Sequence, residues 1–403
     1  MSGSLEIIAP DPQEHREGIF DLTAKTFAHH GRGYWGWLDH CHGGYIDHSH
    51  YDWPASSVGL IDGRVVTHWG VWGYRMRIGR STVRVAGIGA VATHGRYRRR
   101  GLMSRTARAG LERIAASGYD MSILFGRADY YERFGYVRAW SDTTFTVDVS
   151  NLPSEAPDVR TRKFALRHRD DLARLYNREH AGLTGTAVRP TFRLCPRSDR
   201  WTGYLWTGKG NRPTGYVIVG EYRGRFECVE TAGDVEQSLR VVARLARRKG
   251  HREVRFPAAH HNHPLSRRLR WGTCRVETQH LRSGGAMVRT VNLRNTLERI
   301  APELSRRLLK SPLADWSGTL RLADARETVD LKIDGGKVQA AEPQGRSKHA
   351  VRGGEEIAQL IISTAEPLEI AEVAPLRLSG DAKKLLPVLF PAQHPQLSPW
   401  DRF

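Results

Sequence analysis

Short apolar runs alternate with amphipathic stretches over the first third of the chain, a pattern that predicts an α/β unit. Leu5–Ile8 is a strand candidate. Between Glu14 and His30 the apolar residues Ile19, Leu22 and Phe27 share one helical face. Val58–Ile61 and Val65–Ile78 flank Asp62-Gly63, a dipeptide suited to a hairpin turn. Val83–Thr93 predicts a further strand and Leu102–Ser117 a helix, ended by Gly118. Met121–Phe125 and Phe145–Val149 complete a first unit over residues 1–150. Gly31–Trp53 is rich in Gly, Trp and His and predicts a loop with short helical pieces.

A Pro-containing link, Leu152-Pro-Ser-Glu-Ala-Pro157, follows, and the pattern then partly repeats. Phe164–Leu166 precedes a helical stretch, Asp170–His180. Tyr216–Tyr222 and Phe226–Thr231 pair across Arg223-Gly224, and Val235–Lys249 is helical before the strand Glu253–Phe256. A second unit of the same kind is expected over residues 158–284. From 286 to 403 the order changes. Val288–Ile300 reads as strand then helix. Gly318–Leu322, Thr328–Ile333 and Lys337–Ala341 are strands around Asp334-Gly335-Gly336, and Glu355–Ile362 and Ala382–Phe390 are helical. The expected fold class is α/β, with two like units and a third α/β segment.

The 403 residues suffice for two or three domains. No run of about 18 apolar residues occurs, so no membrane span is expected. Met-Ser-Gly-Ser-Leu-Glu-Ile-Ile lacks the basic-then-apolar order of a signal peptide. Cys41, Cys195, Cys228 and Cys274 lie far apart without C-x-x-C spacing, which suits reduced thiols. A cytoplasmic location is expected. The formal net charge of +19 raises nucleic-acid binding. Against it, the arginines are spread along the whole chain. Runs such as Arg244–Arg252 and Arg306–Lys310 fit exposed helix faces, and no zinc-finger or RNA-binding signature accompanies them.

Candidate chemistry concentrates at residues 89–104, Gly-Ala-Val-Ala-Thr-His-Gly-Arg-Tyr-Arg-Arg-Arg-Gly-Leu-Met-Ser. An apolar strand enters an Arg-Arg-Arg-Gly turn, and a helix starts directly after it. Gly101 lets ligand oxygens approach the backbone. The first N–H groups of the helix, from about Arg100 to Ser104, carry the positive end of its dipole and favour an anion. Arg98, Arg99 and Arg100 add fixed charge. The layout is that of a pyrophosphate cradle, yet the P-loop spacing and Gly-x-Gly-x-x-Gly are both absent from this turn.

Arg98-x-x-Gly101-x-Met103 after Ile88–Thr93 resembles the acyl-coenzyme A loop of the GNAT N-acetyltransferase superfamily, Gln/Arg-x-x-Gly-x-Gly/Ala. Met103 departs from its last position. Ile123–Tyr136, with its Tyr-x-Arg-Phe-Gly-Tyr, resembles the superfamily's coenzyme A-side helix. Length and order of parts resemble the Eis (enhanced intracellular survival) family: two GNAT-like units in tandem and a sterol carrier protein-like domain over 286–403. Specific motifs are confined to residues 85–140.

This resemblance implies an acetyltransferase with acetyl-CoA as cosubstrate, a primary amine as acceptor, no metal, and a homo-oligomer, expected to be a hexamer. Val91, Ala92 and Thr93 would pair with the pantetheine arm. Arg99, Arg100, Gly101, Leu102, Met103 and Ser104 would hold the pyrophosphate, with Gly126 and Arg127 near the thiol. Tyr131 would be the general acid, with Tyr130 its competitor. Trp400 and Phe403 point to a docked tail where termini usually fray. The resemblance places the Phe403 carboxylate beside the amine as base, with Asp401 the substitute. Partial burial would raise that carboxylate's pKa from ~3.5. His29, His30, His40, Cys41, His42, His48 and His50 raise the idea of zinc but lack the two-pair spacing of a structural site. With Trp35, Trp37 and Trp53 they are expected to wall the acceptor pocket. Asp39, Asp47, Asp52 and Asp401 are its candidate acids, set among His29, His30 and Arg402. His260, His261 and His263 read as an exposed loop. The alternative class is a non-catalytic coenzyme A-binding regulator or a basic nucleic-acid adaptor.

Overall fold

The computed structural model describes residues 4–27, 51–190, 201–208 and 211–403. The first elements are β1 (Glu6–Ile8), α1 (Arg16–Thr26), β2 (Ser57–Ile61), β3 (Arg64–Ile78), β4 (Ser81–Thr93), α2 (Leu102–Ala116), β5 (Met121–Gly126), α3 (Ala128–Tyr131) and β6 (Val137–Arg138). Then come β7 (Asp142–Asp148), β8 (Arg162–Lys163), α4 (Arg169–Glu179), β9 (Ala187–Val188), β10 (Trp201–Thr207), β11 (Pro213–Tyr222), β12 (Arg225–Ala232), α5 (Val235–Arg248), β13 (Glu253–Pro257), α6 (Pro264–Arg270) and β14 (Arg275–Gln279). The last are β15 (Gly285–Thr290), α7 (Leu293–Leu309), β16 (Gly318–Ala323), β17 (Thr328–Asp334), β18 (Lys337–Ala341), β19 (His349–Arg352), α8 (Ile357–Ile361), α9 (Pro367–Val373), β20 (Arg377–Ser379) and α10 (Ala382–Leu389).

The expected α/β class holds, in three sheets. The first runs β1-β2-β3-β4-β5-β15-β6, with β9 also on β3; the second runs β14-β7-β13-β12-β11-β10-β8; the third runs β18-β17-β16-β19-β20. Local chemistry sets the hairpins. Asp62 and Gly63 sit at φ 49° and 71°, and Arg223 and Gly224 at 51° and 72°. A two-residue turn with both positions left-handed matches the twist of the strands it joins.

The expected boundaries at 150 and 286 do not follow the sheets. β7, assigned to the first unit, lies in the second sheet, where Phe145 pairs with Phe256 and Val147 with Val254. β15, assigned with the third segment, lies in the first sheet, where Val288 pairs with Ile123. The first unit thus lends the second sheet the strand next to its edge, and receives its own from the chain that follows the second unit. Burial decides the placement: Phe145 and Val147 fill the second core, and Ala286 and Val288 the first. α7 then joins the first sheet to the third, because Leu297, Ile300 and Leu304 share one core with Val83 and Val85 on one side and Leu320 and Leu331 on the other. Among the described residues no helix is long and apolar enough to cross a membrane.

Candidate active site

β4 and β5 are parallel and pair from Val85↔Met121 to Ile88↔Leu124. Both continue beyond, to Thr93 and Gly126, without pairing to each other, so the sheet opens there. On its other side β4 stays on β3, with a register shift opposite His68–Gly70. At that bulge Ala90 takes a left-handed φ of 48°. His68 holds it: Nδ1 lies 2.9 Å from the Ala90 carbonyl oxygen, and Nε2 lies 2.8 Å from the Tyr51 hydroxyl. A carbonyl only accepts, so Nδ1 carries the proton and Nε2 accepts from Tyr51. Burial lowers the His68 pKa to about 4, which keeps the ring neutral and this tautomer in place. Sequence reading missed His68 because one histidine inside an apolar strand carries no signal of its own.

Past the opening, the chain turns through Arg98–Gly101 into α2. Arg99 and Gly101 have φ of 62° and 71°. Among the described residues no side chain caps α2, and its first backbone bond runs from the Arg105 N–H to the Gly101 oxygen. The N–H groups of Leu102, Met103 and Ser104 therefore point out of the helix end. Arg98, Arg99 and Arg100 are exposed. Apart from its chain neighbours, a Cβ added to Gly101 would meet no atom of the described residues within 4 Å, which leaves space above it for a ligand. Leu102 and Met103 are buried. Met103 packs in a core with Trp69 and Ala107, so its departure from the expected Gly/Ala leaves the outer face of the turn unchanged. Val91 and Thr93 are half-buried and Ala92 is buried.

On the facing strand Gly126 gives room to Tyr131, since a Cβ there would come within 2.3 Å of the Tyr131 ring. Tyr131 lies against Trp69, Tyr130 and Tyr136, with ring centroids 6.1, 5.0 and 6.2 Å away. Burial, then the two neighbouring phenols, push its pKa up, so it is a protonated donor at neutral pH. Tyr130 is half-buried beneath the Arg133 guanidinium, 4.7 Å from its ring. Arg127 is exposed and turned to Asp129 at 2.9 Å.

The C-terminal tail reaches the same opening. Ser398 Oγ donates to Glu230 at 2.7 Å, and Trp400 packs edge-on to Trp201. Arg402 donates to Asp142 at 2.7 Å and stacks on Phe125. The Phe403 ring lies on Gly87, where a Cβ would meet it at 2.3 Å, between Tyr74 and Phe125. Its carboxyl carbon lies 3.0 Å from where a Gly89 Cβ would stand. The backbone carbonyl carbon of Phe403 thus sits on β4, next to the bulge.

Three expectations need correcting. Asp401 is not a spare base. Both its oxygens accept from Arg189, each at 2.8 Å, and Tyr176 adds a third bond. Asp52 is no free acceptor-pocket acid, because Tyr119 donates to it at 2.6 Å and the Ala55 N–H at 3.0 Å. His260 and His263 are buried, not an exposed loop, because His260 Nε2 binds the Thr184 carbonyl and His263 caps α6. Trp53 packs edge-on to Tyr51 and Tyr51 to Trp72, in an aromatic cluster that Phe403 touches. His29, His30, Trp35, Trp37, Asp39, His40, Cys41, His42, Asp47, His48, His50 and Cys195 lie outside the described residues. Among the described residues no three His, Cys, Asp or Glu groups are arranged to hold a metal ion.

Residues 12–139 match the family model of the acetyltransferase (GNAT) domain, a span that contains the turn and Tyr131 but not Phe403. In three dimensions the chain is similar to a GCN5-related N-acetyltransferase from Anabaena variabilis, at 16% identity and a TM-score of 0.75, over 98% of this chain and 99% of that one. A GCN5-related N-acetyltransferase from Kribbella flavida matches at 19% identity and a TM-score of 0.74, over 99% and 98%. Eis1 from Mycobacterium abscessus matches at 15% and 0.69, over 99% and 100%. At these identities the likeness is one of fold. No curated protein matches the chain.

Proposed function

We propose that the chain is an acetyl-CoA-dependent N-acetyltransferase of the Eis-like type, acting on a primary amine in a ternary complex. The observation that carries this reading is the opening between β4 and β5, which leads straight to an uncapped helix end behind an Arg-rich turn. The backbone of Val91, Ala92 and Gly126, beyond the last β4–β5 pair, suits an amide-bearing arm, while the Thr93 carbonyl accepts from Arg98 Nε at 3.3 Å. Leu102–Ser104, Arg99 and Arg100 suit its diphosphate. The amine attacks the thioester carbonyl, whose oxygen gains charge that strand N–H groups stabilise. The amine's proton passes to the Phe403 carboxylate. The carbon–sulfur bond breaks, and the thiolate takes the Tyr131 proton. The third sheet fits the sterol carrier-like part of this reading, and a symmetric hexamer is the assembly that goes with it.

Thiol release from acetyl-CoA across a panel of primary amines tests the activity. Gly101→Val places a β-branched side chain at positive φ in the space meant for phosphate, and is expected to weaken acetyl-CoA binding more than tenfold, about 1.4 kcal/mol or more. Calorimetric titration reads this directly, and unchanged affinity in a folded variant removes the cradle. Tyr131→Phe is expected to lower kcat by about 10²-fold or more, with little change in acetyl-CoA affinity. If Tyr130→Phe does the damage instead, the acid is the neighbouring phenol.

A further inference from the structure

We propose that the opening between β12 and β13 in the second unit binds a small neutral carbonyl group, and that its occupant holds the C-terminal tail in its docked position. β12 and β13 are parallel and pair only at Phe226↔Val254 and Glu227↔Arg255, so they part much as β4 and β5 do. A diphosphate is excluded here. The helix that follows, α5, is capped by Asp234, which accepts from the Gln237 N–H at 2.7 Å. A carboxylate occupies the place where an anion would sit.

A cavity of about 50 Å³ fills this opening, room for a group of roughly three to five non-hydrogen atoms, judged by the space each buried water needs. Val229, Phe256 and Leu265 give it apolar walls. Two of its lining residues carry a buried polar atom with no hydrogen-bond partner among the described residues, the Ser266 hydroxyl and His263 Nε2. Their residues are 0% and 6% exposed. His263 Nδ1 accepts from the Leu265 N–H at 3.2 Å, so the neutral ring carries its proton on Nε2, and that atom donates. Burial keeps the ring neutral, with its pKa lowered to about 4.

Charge sorts the ligands. The Glu179 carboxylate lies 3.7 Å from His263 Nε2, too far for a hydrogen bond, and repels an anion. The same charge would draw a cation, but Glu179 is not part of the lining, and Glu230, which is, already accepts four bonds, two from Arg189 and one each from Tyr216 and Ser398. Two unused donors beside apolar walls select an uncharged oxygen that carries a small apolar group, as in an amide or an acetyl group.

The tail forms part of the same cavity through Gln396 and Ser398. An occupant touches these residues only while the tail is docked, so binding and docking favour each other. This coupling stands whether or not the Phe403 carboxylate is the base.

The test uses the full chain with N-methylacetamide as probe, and acetate and methylammonium as charged counterparts. Ligand-detected NMR is expected to show binding of N-methylacetamide alone. Ser266→Leu, which fills the cavity, should weaken it tenfold or more, and Ser266→Ala, which removes one donor, severalfold. The alanine variant keeps the test decisive should the leucine variant not fold. Tail docking is read as the rate at which carboxypeptidase releases Phe403, expected to fall severalfold with saturating probe in the wild type and to stay unchanged in Ser266→Leu. Four results overturn the proposal: no binding of N-methylacetamide, equal binding by Ser266→Ala, preference for either charged probe, or release of Phe403 unslowed by bound probe.

Discussion

A chain extended by a few residues beyond Phe403 is expected to lose turnover by about 10²-fold or more, the scale for removing a positioned base. Acetyl-CoA should bind it nearly as well as before. The extension keeps the side chains of Trp400, Asp401, Arg402 and Phe403, but turns the terminal carboxylate into an uncharged amide. The Phe403 carboxyl carbon lies over β4 at Gly89, beside the aromatic cluster of Tyr51 and Trp72. Deleting Phe403 moves the charge by one residue and should do similar harm. Its ring contributes only about 1.5–3 kcal/mol by burial, so the fold should survive. Steady-state kinetics beside an acetyl-CoA titration separate catalysis from binding. Full activity in the extended chain rules the carboxylate out as base.

Arg189→Met should destabilise the protein by about 3–5 kcal/mol, because it strands two buried carboxylates. The Arg189 guanidinium pairs with Glu230 at 2.7 Å and with Asp401 at 2.8 Å, and the three side chains are 5%, 4% and 12% exposed. It also lies over the Tyr176 ring. Methionine fills similar volume without charge, so the loss reports the stranded acids. Neutralising both in the triple variant Arg189→Met, Glu230→Gln, Asp401→Asn should restore most of the stability. The denaturant midpoint checks this, and a shift worth under about 1 kcal/mol in the single variant would show that the cluster is not the clasp of the tail.

What the sequence made legible is local. Asp62-Gly63, Arg223-Gly224 and the Arg98–Gly101 turn all stand where the apolar pattern placed them, since a turn is set by its own few residues. β10 escaped notice because Gly203 and two threonines dilute its apolar character, and Gly203 is needed to let the Phe164 ring lie on the strand. The apolar pattern marks β7 and β15 as strands but not the sheets they join, since period-2 patterning names a buried face and not a partner. Asp401 looked like a base because its partner Arg189 is remote in sequence. His260 and His263 looked exposed because His-His-Asn-His is polar, while burial there depends on the remote Thr184 segment. For the site, the turn and the docked tail were legible, and the bulge held by His68 was not.

The placement of β7 and β15 also sets an order of manufacture. As the chain leaves the ribosome, β5 emerges with one side paired to β4 and the other bare, since its neighbour Val288 is not yet made. Meanwhile β7, spun out next, has no second sheet to join until β13 and β14 arrive. Multi-unit chains usually settle from the N-terminus, one unit at a time. Here the first sheet can close only after the second unit has been synthesised, and a nascent chain halted after β6 presents an open strand edge to whatever lies nearby. The two units are thus halves of one folding event, and a gene fragment encoding the first alone encodes an unfinished sheet.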